Sequence, residues 1–467
     1  DWDLMGFDPR GINKTSPQVR CFSSSTDYNF FVANTALEQV FTVSSSSNLS
    51  GSTVEAQLIE QSREFIVLKK SQAKLCAKNM GDDLRYMGTA TVVRDIDFMA
   101  KIFDGEDGKI NFWGVSYRSI LRLGAYLVNM LPDRVGFVVI DRIVDPVHWS
   151  TEPSHKWPFN WLSSAEKTYR FYLKACSLAG PGGCPLTKYQ NELCEQIEAR
   201  IEYFFDRVAV APSPVPFGSR LGYLTSGAAR VLLAMSLEHP QEWPESAFAL
   251  AQAMDGNGTL LLNKLLTPRP APTPDYDLVR LGVTCLDSPP PQSPAEIPTA
   301  EDLAAQILKT MREVSPHFGA SMSIGEPDGG CQYWPVCGPK RFTRPWNASL
   351  DWPMLILKNV TPLLRRVTPI KSGHRLNSLM LNSTRMIIQD GPGHNSLAVP
   401  SLCTMKLVRD YYAGTLPQNG TTCDTGYTFF PGPSQAGSSL VGLDAGDQKL
   451  LTSAEAVREL LHDFRRA

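Results

Sequence analysis

Two hydrophobic periods alternate along the first third of the chain. Residues 54–75 carry apolar side chains at helical spacing, with Ile59, Phe65 and Val67 among them, and residues 89–103 repeat that period. Strands are expected before and after them: at 3–7 (D-L-M-G-F), running into a D-P-R-G turn, at the short β-rich run 109–113, and at the continuous apolar stretch 135–140. Residues 120–130 have helical composition. The order strand, turn, helix, strand predicts a mostly parallel sheet with helices on both faces. From about 147 the pattern changes. Leu193, Ile197, Ile201, Phe204 and Val208 share one helical face, and 227–237 and 300–313 also read as helix. Proline-rich connectors at 212–216, 268–274 and 288–294 lie between them and exclude central strands or helix interiors. After 350 the strand pattern returns at 354–357 and 384–389, followed by helices at 401–413 and around 453–465. The expected layout is a core that begins with residues 1–146, an inserted mainly helical cap over 147–345, and a return to the core over 346–467, which completes it.

Composition narrows the class. At 467 residues the chain can bury a large core, and its 43% apolar and 20% charged residues are those of an ordinary globular protein. A net charge of −2 gives no electrostatic case for nucleic acid or an anionic membrane. No apolar run reaches the ~18–20 residues a membrane helix needs. The opening D-W-D-L-M-G-F-D-P-R-G reads as the middle of a folded domain, so the expectation is an N-terminally truncated core.

Ten cysteines, at 21, 76, 176, 184, 194, 285, 331, 337, 403 and 423, are dispersed and lack the paired spacing of a structural zinc site. Seven Asn-x-Ser/Thr sequons, at Asn13, Asn48, Asn257, Asn347, Asn359, Asn382 and Asn419, accompany them. Together they point to an oxidising, glycosylating, secretory route, with N-linked glycans attached. The pairs Cys176/Cys184, Cys331/Cys337 and Cys403/Cys423 are close enough for local bridges; spacing alone does not fix connectivity.

The chemistry concentrates in N-F-W-G-V-S-Y-R-S, residues 111–119. A strand runs through Gly114 and Val115 into Ser116 and then a helix. On such a turn a serine hydroxyl projects above the sheet, and the N–H of the next residue, Tyr117, faces a developing oxyanion. The helix N-terminus adds positive potential there. Arg118 stands where the G-x-S-x-G pattern has its second glycine.

Several segments together resemble the secreted tripeptidyl-aminopeptidase-like α/β-hydrolases, especially fungal members, which are related to proline iminopeptidases. They are D-L-M-G-F-D-P-R-G (3–11), W-G-V-S-Y (113–117), L-P-D-R-V-G (131–136), V-V-I-D (138–141), V-D-P (144–146), V-T-P (367–369), Q-D-G-P-G-H (389–394) and S-L-C (401–403). The resemblance runs from residue 1 to about 425 and is diffuse in the cap. It implies an α/β-hydrolase core and a Ser–Asp–His triad in that chain order, with Ser116 as nucleophile and His394 as base. It also implies release of short peptides or single residues from peptide N-termini, with no metal or organic cofactor.

The departures fall on the catalytic apparatus. The family places its acid two residues before V-T-P, where this chain has Arg365. Asp141, at the end of the strand after the nucleophile helix, is the first candidate to substitute, but it also belongs to the family's ordinary pattern, so a structural role is its plainer reading; Asp145 and Asp351 are further candidates. Arg142 replaces a glycine after that aspartate, and Asn395 stands where the family often has cysteine. Losing a triad acid can cost ~10⁴-fold in turnover. Three expectations therefore stand: a secreted serine exopeptidase, a catalytically impaired relative, and an esterase on the same core.

Overall fold

The computed structural model describes residues 3–44, 49, 52–115, 123–219, 221–265, 276–323, 329–362, 370–393, 395–431 and 442–466. Five strands form one sheet: β1 (Ile110–Val115), β2 (Val135–Asp141), β5 (Met354–Pro362), β6 (Thr384–Gly393) and β7 (Thr421–Asp424). They lie in that order, and every neighbouring pair is parallel. A separate antiparallel hairpin joins β3 (Ser213–Val215) to β4 (Gly222–Leu224). Pro214 is tolerated in β3 because both strands of a two-stranded sheet are edges.

The apolar runs became strands because both sheet faces are covered. Val138 and Ile140 of β2, Met354 and Ile356 of β5 and Met386 of β6 enter one core, with Val93 and Ile96 of helix Thr89–Asp104, Leu127 of helix Leu123–Met130 and Leu376 of helix Ile370–Leu379. The alternate residues Val139, Leu355, Leu357 and Ile387 enter a second core against Val408 and Tyr411 of helix Leu402–Tyr412. The strand period of two thus assigns each side chain to one of two helical layers. Gly124 permits close approach on the first face: a Cβ there would meet Ile140 Cγ2 at 2.1 Å.

This is the expected α/β-hydrolase arrangement, a mostly parallel sheet with helices on both faces. Between β2 and β5, helices Ala165–Ala179, Cys194–Val210, Ser226–Leu237 and Trp243–Met254 share their own core, including Tyr172, Ile201, Phe204, Leu233 and Trp243. Helix Ser52–Met80 packs on helix Ala300–Glu313 through Leu58, Phe65, Leu303 and Ile307. Val67, on the other side of that helix, is 63% exposed.

Three expectations are corrected. Residues 3–7 are not a strand: among the described residues none pairs with them, and Leu4 is 95% exposed. A run without a partner ladder leaves its backbone to water. Cys331 pairs with Cys285 rather than Cys337, beside Cys21–Cys76, Cys176–Cys184 and Cys403–Cys423. Helix Tyr276–Asp287 and the turn Cys331–Tyr333 pack together in one core, whereas Cys337 is an exposed thiol. Nearness in space overrode nearness in sequence. Finally, the Asn359 sequon is buried inside β5 and unreachable in the folded protein, whereas Asn13, Asn257, Asn347, Asn382 and Asn419 are exposed.

Candidate active site at the carboxyl edge of the sheet

In a parallel sheet all strands end on one side, and chemistry gathers at that rim. Here β1 ends at Val115, β2 at Asp141, β5 at Pro362 and β6 at Gly393. Val115 is in register with Asp141, and Asp141 with Leu357. Ser116, Tyr117, Arg118, Arg365 and His394 lie outside the described residues. Val115 precedes Ser116 and Gly393 precedes His394, each the last residue of a strand at this rim.

The three acids singled out from sequence are sorted by their surroundings. Asp351 precedes β5, at the amino end of the strands, and its side chain is 90% exposed beside Lys109. Asp145 is occupied as a helix cap, accepting from the N–H groups of Val147 and His148 at 3.0 and 3.2 Å. It also pairs with Arg375 at 3.2 Å. Asp141 alone of the three is a fully buried carboxylate at the rim.

Asp141 Oδ2 accepts two hydrogen bonds from one residue, the Ser396 N–H at 2.9 Å and the Ser396 hydroxyl at 2.6 Å. Its Oδ1 is buried with no donor among the described residues. Burial pushes the Asp141 carboxyl up to about 6, against the downward pull of the Ser396 hydrogen bonds and the Lys358 and Arg142 charges. Lys358 is buried on β5, and its Nζ donates to the Ile143 carbonyl at 2.7 Å. Burial, and then the Arg142 charge, hold Lys358 well below the usual lysine range, while Asp141 acts in the other direction. Arg142 adopts a φ of +61°, the left-handed region glycine favours, consistent with a glycine there in the family pattern. Its buried guanidinium approaches Glu238 at 3.9 Å.

Sequence reading missed the residues that hold the segment after β6. Asn359 Nδ2 donates to the carbonyls of Gly393 and Asn395, both at 3.1 Å. Gln389 Nε2 donates to the carbonyls of Ser396 and Val399, both at 3.0 Å. Gly393 takes a φ of +132°, and a Cβ there would meet Ala398 at 2.6 Å, so the bend needs glycine. Beyond Gly393 the chain therefore folds back over the strand ends and rests on Asp141. A signal was present: Lys358 and Asn359 follow the apolar run 354–357 of β5, and Gln389 follows the apolar run 386–388 of β6. A buried polar side chain is retained only where partners await it.

Residues 315–423 match the family model described as TAP-like protein, an α/β-hydrolase family. That stretch contains β5, β6 and the segment tied to Asp141. The chain is similar to "Serine protease Hip1" of Mycobacterium tuberculosis, 24% identical over 438 residues, covering 90% of this chain and 74% of that protein. It is also similar to "Carboxylesterase B" of the same species, 25% identical over 435 residues, 90% of this chain and 73% of that protein. A shorter stretch resembles "Tripeptidyl aminopeptidase" of Streptomyces lividans, 32% identical over 145 residues, 31% of this chain and 22% of that protein. The chain thus has the α/β-hydrolase fold and is related to TAP-like hydrolases.

Proposed function

We propose that this chain is a secreted serine exopeptidase that releases short peptides or single residues from peptide N-termini through an acyl-enzyme. The observation that carries the reading is the shared rim: the residues preceding Ser116 and His394 end two parallel strands of one sheet on the same side. In this reading His394 takes the Ser116 proton as the hydroxyl attacks a peptide carbonyl. The Tyr117 N–H stabilises the oxyanion, and His394 returns the proton to the departing amine. Water then attacks the acyl-enzyme by the same base. The peptidases among the relatives support this substrate class, and the helical region 147–345 is the cap that would select peptide N-termini. Four disulfides and five exposed sequons support export and N-glycosylation. The fungal placement rests on the quoted motifs alone; the relatives named above are bacterial.

Two other readings have specific support. Arg365 at the family's acid position favours a catalytically impaired relative. The carboxylesterase among the relatives favours an esterase on the same fold. A fluorophosphonate probe tests the nucleophile: labelling of folded protein at Ser116, abolished in Ser116→Ala, is expected, and absence of labelling refutes it. Peptide amides with free and blocked N-termini then divide exopeptidase from esterase, a preference for the free amine being the expected result.

A further inference from the structure

In the helical region between β2 and β5, His317 is ringed by charge from three helices. From helix Ala165–Ala179, Glu166 Oε2 lies 2.7 Å from His317 Nδ1. From helix Cys194–Val210, Glu198 lies 3.0 Å and Glu202 4.0 Å from His317 Nε2. From helix Ser226–Leu237, Arg230 donates to the His317 carbonyl at 3.3 Å. Tyr169 sets its ring edge-on against the imidazole, with centroids 5.2 Å apart. We infer that His317 is a proton-operated latch: its imidazolium ties helix Ala165–Ala179 to helix Cys194–Val210, and loss of its proton opens the contact to Glu198.

A neutral imidazole has one N–H and one lone pair. Here each ring nitrogen has a carboxylate oxygen within 3.0 Å, so only the doubly protonated ring satisfies both. Whichever nitrogen gives up its proton sets a lone pair against a negative oxygen. The other partners of each carboxylate decide which contact breaks. Glu166 is held independently, since its Oε1 accepts from the Ser315 hydroxyl at 2.7 Å and the His317 N–H at 3.3 Å. Glu202 is held by two bonds from Arg230, at 3.0 and 2.6 Å. Glu198 has its ion pair with His317 and no other among the described residues. The neutral ring therefore keeps its Nδ1–H on Glu166 and presents its lone pair to Glu198, which moves out toward solvent. Burial lowers the imidazole's pKa, but the Glu166 hydrogen bond and the charges of Glu166, Glu202 and Glu198 outweigh it, so the latch opens above 6.5 rather than below. Burial pushes Glu166 up, but the His317 bond and charge and the Ser315 hydroxyl hold it below the ordinary carboxylate value, so it stays ionised throughout.

The latch is connected to the rim. Arg230 and Glu238 stand eight residues apart along one helix and its C-cap, about 12 Å of axis, and Glu238 approaches Arg142, the residue after β2, at 3.9 Å. Loosening around His317 therefore acts on an element that touches the edge of the sheet. The latch requires none of the roles proposed for Ser116 and His394.

Hydrogen exchange of the full chain from pH 5.5 to 9, corrected for the intrinsic rate at each pH, tests the latch with an internal control. In the wild type, protection of residues 194–210 is expected to fall as pH rises past 6.5, by up to about tenfold for each unit by which the folded pKa exceeds the unfolded one. Helix Ser52–Met80, which supplies none of the groups around His317, should keep its protection. His317→Gln has no proton to lose, so its protection at 194–210 should be flat with pH. Glu198→Gln can donate its amide to a neutral imidazole, so it should stay protected at high pH and move any remaining step to lower pH. Flat wild-type protection, an equal step in His317→Gln, or an unmoved step in Glu198→Gln would each overturn the latch. A step of equal size in helix Ser52–Met80 would also overturn it, as general loosening. If His317→Gln does not fold, the wild-type profile and Glu198→Gln decide.

Discussion

Asn359→Asp is nearly isosteric and tests the loop clamp directly. The native amide donates to the Gly393 and Asn395 carbonyls at 3.1 Å each, from a side chain that is 4% exposed. A carboxylate has no proton to give, so the Gly393 carbonyl loses its side-chain donor, the Asn395 carbonyl keeps only the Ala398 N–H at 3.1 Å, and both face a negative oxygen. A buried acceptor left unpaired costs about 1–3 kcal/mol, so the loss at Gly393 alone should destabilise by about that much, with the negative oxygen beside the Asn395 carbonyl adding to it. The sign with pH follows from the same geometry. The introduced carboxyl is better accommodated protonated, when it can donate one bond, so its folded pKa rises above the ordinary value of about 4. Its penalty is therefore smaller near pH 4.5 and grows as pH rises. Asn359→Ala removes the donors without adding charge and should cost less at pH 8 than Asn359→Asp. Urea unfolding at pH 4.5, 6 and 8, with disulfides intact, gives the comparison. Stability of Asn359→Asp within about 0.5 kcal/mol of wild type at pH 8 would refute the clamp.

His317 is enclosed by Glu166 at 2.7 Å, Glu198 at 3.0 Å and Glu202 at 4.0 Å, with Arg230 also paired to Glu202. Burial lowers its pKa, but the hydrogen bond to Glu166 and the three carboxylate charges outweigh it, and the net shift is upward from 6.5. The stabilisation is complete below 6.5 and is lost as pH rises through the higher folded value, so His317→Gln should flatten the urea-unfolding profile between pH 6 and 9; parallel profiles would refute this. The Cys403–Cys423 bridge closes a 20-residue separation between the last core helix and β7. Replacing both cysteines by alanine should cost about 3 kcal/mol in denaturant unfolding, and no loss would mean that packing alone holds that helix.

Local pattern made much of the fold legible. The run at 135–140 became β2 because an apolar stretch of that length bounded by turns fits a strand buried on both faces. The helices at 54–75 and 89–103 followed their period to within a few residues, as Ser52–Met80 and Thr89–Asp104. Residues 3–7 (D-L-M-G-F) were also expected as a strand and form none, because a strand is made by its neighbour's hydrogen bonds and not by its own side chains. The order of the segments could suggest a rim bearing chemistry, but not which acid would occupy it. Sequence position put Asp141 ahead of Asp145 and Asp351 but could not show what each carboxylate touches. Capping contacts, exposure and sheet direction divided them.

What the sequence carried alone was the alternation of strand and helix and the chain's resemblance to TAP-like hydrolases, with Ser116 and His394 as the candidates that resemblance implies. Each is encoded by neighbours within a few residues or by short motifs. Only the tertiary structure decided that Cys285 takes Cys331, that Asn359 is a buried clamp rather than an exposed sequon, and that the segment after Gly393 rests on Asp141. Those outcomes depend on contacts between residues up to 255 positions apart. They are set by which surfaces exclude water together, and no local period carries that information.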